Sequence, residues 1–136
     1  MCLLNKKYFS VEEANRILPK IKYGLLKLMK INRAIEVLNS VSIEYEDNYS
    51  ALVNDVRINK TFHRLYYNLY KEIDNILDLG VVLEDLELGI INLYSMYEDR
   101  EIFLCWRLGE KRIKFWHEID EDYFNRKPIS ILLKNL

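Results

Sequence analysis

Apolar residues in the first forty positions are spaced alternately three and four residues apart. This spacing gives the period of about 3.5 residues that is typical of a helix packing along one seam. Ser10 and Glu13 form a capping box at the start, and the period runs straight through Pro19. We therefore predict one helix from Ser10 to about Ser40, kinked at the proline rather than ended by it. Its seam consists of Val11, Ala14, Leu18, Ile21, Leu25, Leu28, Asn32 and Ile35.

Asn32 is the polar residue in this seam. An asparagine buried in a coiled-coil seam fixes the register or the oligomeric state. An asparagine is also expected where a helix leaves the core and its seam positions become exposed. The sequence leaves both interpretations open.

A second helix is predicted from about Tyr49 to Leu79, after a polar connection. Gly80 follows it and suits the position after a helix C-terminus. Two long helices joined by a short connection pack as an antiparallel hairpin. The seam of the second helix is predicted at Phe62, Tyr66, Leu69, Ile73 and Ile76.

Beyond Gly80 the pattern changes to short apolar segments separated by turn-like acidic stretches. Helices followed by strands indicate an α+β fold. We predict a single domain, with a long antiparallel helical hairpin over residues 1–80 and a small antiparallel β-sheet of three or four strands, with a C-terminal tail, over residues 81–136. The predicted strands are Val81–Leu83, Gly89–Tyr94, Glu101–Leu108 and Arg112–Glu118.

The last two strands read as a β-hairpin with Gly109 and Glu110 at the centre of a two-residue turn. That turn places Ile102 opposite His117 and Arg107 opposite Arg112. One face is then apolar and ends at His117: Ile102, Leu104, Trp106, Ile113, Phe115 and His117. The other face is mixed: Phe103, Cys105, Arg107, Arg112, Lys114 and Trp116. Like charges opposite each other are unfavourable, so we expect carboxylates of the chain, or a bound anion, to compensate them.

Composition narrows the classes of function. The chain has 136 residues and a formal net charge of −1, with 50% hydrophobic residues, so it can bury a core and has no overall basic field for nucleic acid. Residues 1–40 carry eight Lys and Arg against three Asp and Glu, so the remainder is net acidic. No apolar run approaches the length of a membrane span and no signal peptide is evident, so we expect a cytoplasmic protein that does not enter a membrane.

Several short motifs occur along the chain: Tyr8-Phe9-Ser10, Glu12-Glu13-Ala14-Asn15, Leu18-Pro19, Gly80-Val81, Glu84-Asp85-Leu86, Gly89, Leu104 to Glu110, Trp116-His117, Arg126 and Pro128. Together they resemble a small bacterial and archaeal family known as domain of unknown function 2203. The resemblance implies no activity, because the family has none established that could be carried over. The chain also departs from the family pattern, which typically has Asp-Phe-Pro where this sequence has Asn92-Leu93-Tyr94. Any chemistry that depends on that aspartate is therefore in doubt here.

The sharpest candidate site is a polar cluster around the hairpin. Arginine binds carboxylate or phosphate groups in a bidentate manner, and histidine transfers protons near neutral pH. The alternative is structural: the arginines pair with nearby carboxylates of the chain, and the histidine bonds a backbone carbonyl. The candidate ligand-binding residues are Asp85, Arg107, Glu110, Arg112 and His117.

A metal site is not predicted, and neither is a cofactor. Cys105 and His117 face opposite ways in the predicted register, and could approach each other only if that register shifted. The preferred function is a non-enzymatic, self-associating cytoplasmic module, a dimer or larger homo-oligomer. It is favoured by Asn32 in the first seam, by the tyrosines Tyr66, Tyr67 and Tyr70 of the second helix and by the apolar tail Ile129–Leu133. The alternative is a site for a small anion, or an enzymatic site, around Arg107, Glu110 and His117.

Overall fold

The computed structural model describes residues 6–41 and 43–133. Cys2, one of the two cysteines, lies outside the described residues. Within the described ranges, no helix combines the length and the apolar character needed to cross a membrane. The cytoplasmic location stays a prediction.

Two long helices form the first half of the fold, α1 (Val11–Ser40) and α2 (Asn48–Asp78). Ser10 caps α1, its side-chain oxygen accepting a hydrogen bond from the Glu13 backbone N–H. Asp47 caps α2 in the same way through the Ser50 N–H. The two helices pack against each other, which confirms the predicted hairpin.

The buried face of α1 follows the predicted seam. Ile35, beyond Asn32, is still buried, so α1 has not left the core at that asparagine, which is half-buried. In α2, Leu69 and Ile76 are buried as predicted, but Tyr66 is exposed and Leu65 packs against the core in its place. The buried seam residues of α1 are Ala14, Leu18, Ile21, Leu25, Leu28 and Ile35.

The second half is a five-stranded antiparallel sheet in which every strand pairs with its neighbours along the chain. This confirms the α+β prediction and adds a short fifth strand to it. A 3₁₀ turn at Tyr123–Asn125 precedes the last strand, and a four-residue helix, α3 (Ser130–Leu133), follows it. The strands are β1 (Val81–Asp85), β2 (Ile90–Tyr97), β3 (Arg100–Arg107), β4 (Phe115–Glu118) and β5 (Lys127–Pro128).

One face of the sheet packs on the helices. Its residues share a buried core with α1 and α2: Ile91, Leu93, Ile102, Leu104, Trp106 and Trp116. The opposite face, which we call the outer face, carries Asn92, Tyr94, Phe103, Cys105, Phe115 and His117, because paired residues lie on the same side of a sheet.

The predicted register of the β3–β4 pair is wrong by one residue. His117 lies opposite Phe103 rather than Ile102, and Trp116 lies opposite Leu104. A shift of one residue moves every side chain of a strand to the other face. His117 and Phe115 therefore join the outer face, and Trp116 joins the core. Arg112 lies before the start of β4 and outside the β3–β4 pairing, so the predicted opposition of Arg107 and Arg112 does not exist.

The cause is a wide loop in place of the predicted tight turn. The Glu110 N–H donates to the Arg107 carbonyl, so the turn begins one residue earlier than predicted. The Trp106 indole N–H donates to the Glu110 carbonyl at 2.9 Å. Ile113 is fully buried, and its N–H donates to the Asn15 side chain of α1 at 2.8 Å. These contacts hold residues 108–114 as a loop, and strand pairing resumes only at Phe115.

Candidate functional site

The outer face carries a compact group of side chains that offer metal-ligand atoms. Cys105 on β3, His117 on β4 and Glu84 on β1 each bring one such atom within 4.8 Å of the other two. Cys105 and His117 are fully buried, and the Glu84 side chain is 21% exposed. We call these three residues the outer-face cluster. The register shift of β4 is what brings the cysteine and the histidine to the same side.

A hydrogen bond to the backbone determines which ring nitrogen of His117 carries a hydrogen. Its Nδ1 lies 2.8 Å from the Glu118 carbonyl oxygen, which can only accept, so Nδ1 carries a hydrogen. The other ring nitrogen, Nε2, points into the cluster, 3.0 Å from Asn92 Oδ1 and 3.4 Å from Glu84 Oε1. The backbone bond is the structural role that the sequence suggested for His117, but Nε2 is left facing two oxygen atoms.

Glu84 is held at both carboxylate oxygens. Asn92 Nδ2 donates to Oε1 at 2.8 Å, and the Tyr123 backbone N–H donates to Oε2 at 3.0 Å. Because the carboxylate needs the amide N–H, Asn92 must turn its Oδ1 toward His117. A β-bulge sets the position of Glu84, since β1 gains one residue between Leu83 and Asp85 relative to β2.

The thiol of Cys105 is screened from water. Burial raises its pKa to about 12, and the Arg126 guanidinium, through its charge and a hydrogen bond, acts in the opposite direction. The protein alone therefore keeps this sulfur protonated and unreactive at neutral pH. Cys105 is a free cysteine.

A second polar group lies beside the cluster. Arg126 Nη1 contacts Glu110 Oε1 at 2.9 Å and its guanidinium stacks on the Tyr123 ring, 3.9 Å from the ring centre. Arg107 Nη1 donates to the Tyr123 hydroxyl at 3.2 Å, a bond that raises the pKa of Arg107. Glu110 also accepts from the Arg107 backbone N–H at 2.7 Å. The C-terminal segment thus links Arg107 and Glu110 to the outer-face cluster through Tyr123.

The structure divides the five residues proposed from the sequence. Arg107 and Glu110 are neighbours, and contacts through Glu84 and Tyr123 connect His117 to them. Asp85 caps the turn after β1 by accepting from the Leu88 N–H, and Arg112 is exposed on the loop. Two acidic residues at the end of β4 and just after it form ion pairs within the chain: Glu118 pairs with Arg100, and Glu121 pairs with Lys127.

Comparison with protein families finds one family that the chain matches. A family described as "Uncharacterized conserved protein (DUF2203)" matches residues 7–129. The chain belongs to the DUF2203 family. The matched range contains all three residues of the outer-face cluster, and the resemblance seen in the sequence is confirmed. No curated protein and no solved structure matches the chain.

Four residues of this region were not among the sequence candidates: Glu84, Asn92, Tyr123 and Arg126. Three of them carried a signal. Asn92 marks the departure from the DUF2203 pattern, and it lies in contact with His117. Glu84 and Arg126 belong to the motifs shared with the family. Tyr123 carried none, because it reaches the site through its backbone N–H.

The second candidate surface lies on α2, away from α1. This 31-residue helix fully buries only two side chains, Leu69 and Ile76. A second apolar stripe runs along its exposed side, with helical spacing that stays in phase across a polar interruption near Lys60 and His63. We call it the α2 stripe: Tyr49, Leu52, Val56, Tyr67 and Tyr70, all exposed.

Proposed function

We propose that the protein is a self-associating module in which the α2 helices of two copies pack against each other, with Tyr67 and Tyr70 of the α2 stripe at the centre of the contact. The observation that carries the proposal is the exposure of five large apolar side chains in one line. Scattered apolar residues are normal at a surface, but apolar residues that recur in phase along one side of a helix are typical of an interaction site.

The charges on α2 favour an identical partner in an antiparallel arrangement. Residues 48–64 carry Asp55 against three cations, and residues 65–78 carry Lys71 against three carboxylates. The first part of the helix is therefore net positive and the second part net negative. Antiparallel pairing about a twofold axis lets the positive part of each copy face the negative part of the other. The cations are Arg57, Lys60 and Arg64, and the carboxylates are Glu72, Asp74 and Asp78.

The alternative taken from the sequence, an anion site around Arg107, Glu110 and His117, has less support. Arg107 already bonds Tyr123, and Glu110 already pairs with Arg126. A ligand would have to replace both contacts before it could use these groups.

Light scattering coupled to size exclusion tests the proposal at tens of micromolar protein. We expect wild type to run as a dimer or larger oligomer, and Tyr67→Glu to shift it toward monomer, because the substitution puts a charge in the apolar contact. Tyr23→Glu is the matched control: Tyr67 is 68% exposed and Tyr23 is 65% exposed, but Tyr23 lies on α1, outside the stripe. A monomeric wild type, or equal dissociation of both variants, would refute the proposal.

A further inference from the structure

In the outer-face cluster, the hydrogen bonds leave one ring nitrogen of His117, Nε2, without a hydrogen-bond donor. Nδ1 of His117 must carry a hydrogen for the Glu118 carbonyl, and Asn92 must present its oxygen to Nε2. In the neutral imidazole, Nε2 is then a lone pair directed at two other acceptors, Asn92 Oδ1 and Glu84 Oε1. Placing a positive charge at Nε2 resolves the repulsion. Either a second proton on the ring or a metal cation supplies that charge.

We propose that Cys105, His117 and Glu84 bind a divalent transition-metal ion at this point, with zinc as the ion that the donors suit best. Thiolate sulfur, imidazole nitrogen and carboxylate oxygen are the three donor types that zinc takes in proteins. A tetrahedral zinc ion holds nitrogen and oxygen ligands about 3.3 Å apart. His117 Nε2 and Glu84 Oε1 already lie 3.4 Å apart.

Each donor has an outer partner that orients it. The Glu118 carbonyl fixes the His117 ring, the Tyr123 N–H holds the free oxygen of Glu84, and the charge of the nearby Arg126 acts to lower the pKa of the Cys105 thiol. Such outer hydrogen bonds are a regular feature of protein metal sites, where they fix the tautomer and the direction of the lone pair. A second proton on His117 would need only the Glu84 carboxylate beside it. It would not explain why the sulfur of Cys105 lies in the same group.

The charges balance when the ion binds. The thiol of Cys105 loses its proton to solvent, and the resulting thiolate and the Glu84 carboxylate neutralise the two charges of the ion. Arg126 keeps its own partner, Glu110. The Glu84 side chain is the exposed edge of the cluster, so a fourth ligand from solvent enters beside it.

Cobalt(II) is the probe, because bonding to a thiolate gives it a near-ultraviolet charge-transfer band and tetrahedral coordination gives it intense visible bands. The protein carries Cys2→Ser, so that Cys105 is its only thiol. We expect both sets of bands at one ion per chain, and loss of the bands when zinc is added. Absence of the charge-transfer band would overturn the proposal.

Matched variants assign the ligands. His117→Gln and Glu84→Gln should each weaken zinc binding at least about tenfold by calorimetry. His63→Gln, which changes the other histidine on an exposed helix position, should leave the affinity unchanged. Equal affinities of the His117 and His63 variants would contradict the assignment. If His117→Gln fails to fold, Glu84→Gln decides, because its side chain is partly exposed and its circular dichroism reports whether the fold is kept.

Zinc binding is also separable from self-association. The Tyr67→Glu variant changes a residue on α2, far along the chain from the cluster, and should bind zinc with wild-type affinity. Zinc should raise the Tm of wild type and of Tyr67→Glu alike, and should not raise the Tm of Cys105→Ala. A Tm increase that survives Cys105→Ala would place the ion elsewhere and overturn the proposal.

Discussion

Two glycines with positive φ flank the contact between the β1–β2 turn and the loop after β3. Gly89 (φ +72) and Gly109 (φ +106) both occupy the left-handed region, but only Gly89 is crowded. A Cβ at Gly89 would lie 2.8 Å from Leu108 Cβ, whereas a Cβ at Gly109 would meet nothing within 4 Å. The Leu108 N–H also donates to the Gly89 carbonyl at 2.8 Å, so the two segments cannot easily separate.

Alanine at these two positions should separate the backbone cost from the steric cost. We expect Gly109→Ala to lower the free energy of unfolding by about 1–2 kcal/mol, the cost of a left-handed L-residue. Gly89→Ala should lower it by roughly a further 1–3 kcal/mol, the range for forcing extra atoms into a packed contact. Urea denaturation of both variants measures the difference. Equal losses would mean that the Leu108 contact relaxes freely.

At the scale of the elements, the sequence predicted the helices well because their period alone determines the buried side. Ala14 to Ile35 repeat often enough that no distant contact changes which side of α1 faces the sheet. Strand register has no such redundancy. The loop after β3 is set by Trp106 bonding Glu110 and by Ile113 bonding Asn15, and the second of these contacts joins residues 98 positions apart. Local turn preference could not reveal that contact.

The same limit explains how much of the candidate site could be predicted. Cys105 and His117 were recognised as metal-ligand types, and were separated only by the register error. Glu84 reaches them because β1 bulges between Leu83 and Asp85, and no residue in this stretch signals a bulge. The sequence thus supplies the chemical groups, whereas long-range packing decides which of them meet.

The β3–β4 pair also carries a testable ion pair. Arg100 binds Glu118 through two bonds of 2.8 Å, and these bonds are the main cause that lowers the pKa of Glu118 below its ordinary value of 4.5. A carboxyl whose pKa is lower in the folded state stabilises the fold above its unfolded pKa, and this stabilisation is lost as the pH falls through the folded pKa.

Arg100→Gln should therefore be less stable than wild type at neutral pH, and the difference should shrink as the pH falls below about 4.5, the ordinary pKa of Glu118. Urea denaturation across this pH range measures the change. Arg33→Gln, an exposed arginine on α1, is the control and should show no such convergence. A stability difference that stays constant with pH would show that Arg100 acts by packing rather than through Glu118.

At the scale of the whole molecule, the arrangement of two copies is encoded in the charges beside the α2 stripe. When two copies of one helix pack antiparallel, the residue numbers of any two facing residues add up to the same value. Lys60 with Asp78 and Arg64 with Asp74 both centre on position 69, so a single arrangement satisfies both pairs. Only residues 60–78 of the two helices overlap in this arrangement, which puts the exposed rings of Tyr67 and Tyr70 near the twofold axis and leaves Tyr49, Leu52 and Val56 outside the contact. A parallel arrangement would instead place like charges together.

Charge reversal distinguishes the two arrangements. Copies with Lys60→Glu and Arg64→Glu should repel each other, because their new carboxylates face Asp74 and Asp78. Copies with Asp74→Lys and Asp78→Lys should repel each other in the same way. A mixture of the two should associate, since each contact then joins opposite charges.

Light scattering of each variant and of the mixture, at low and high salt, measures this association. Because salt screens charges, the preference for the mixed pair should weaken as salt rises. Association of either variant alone as strongly as the mixture would exclude the antiparallel pair.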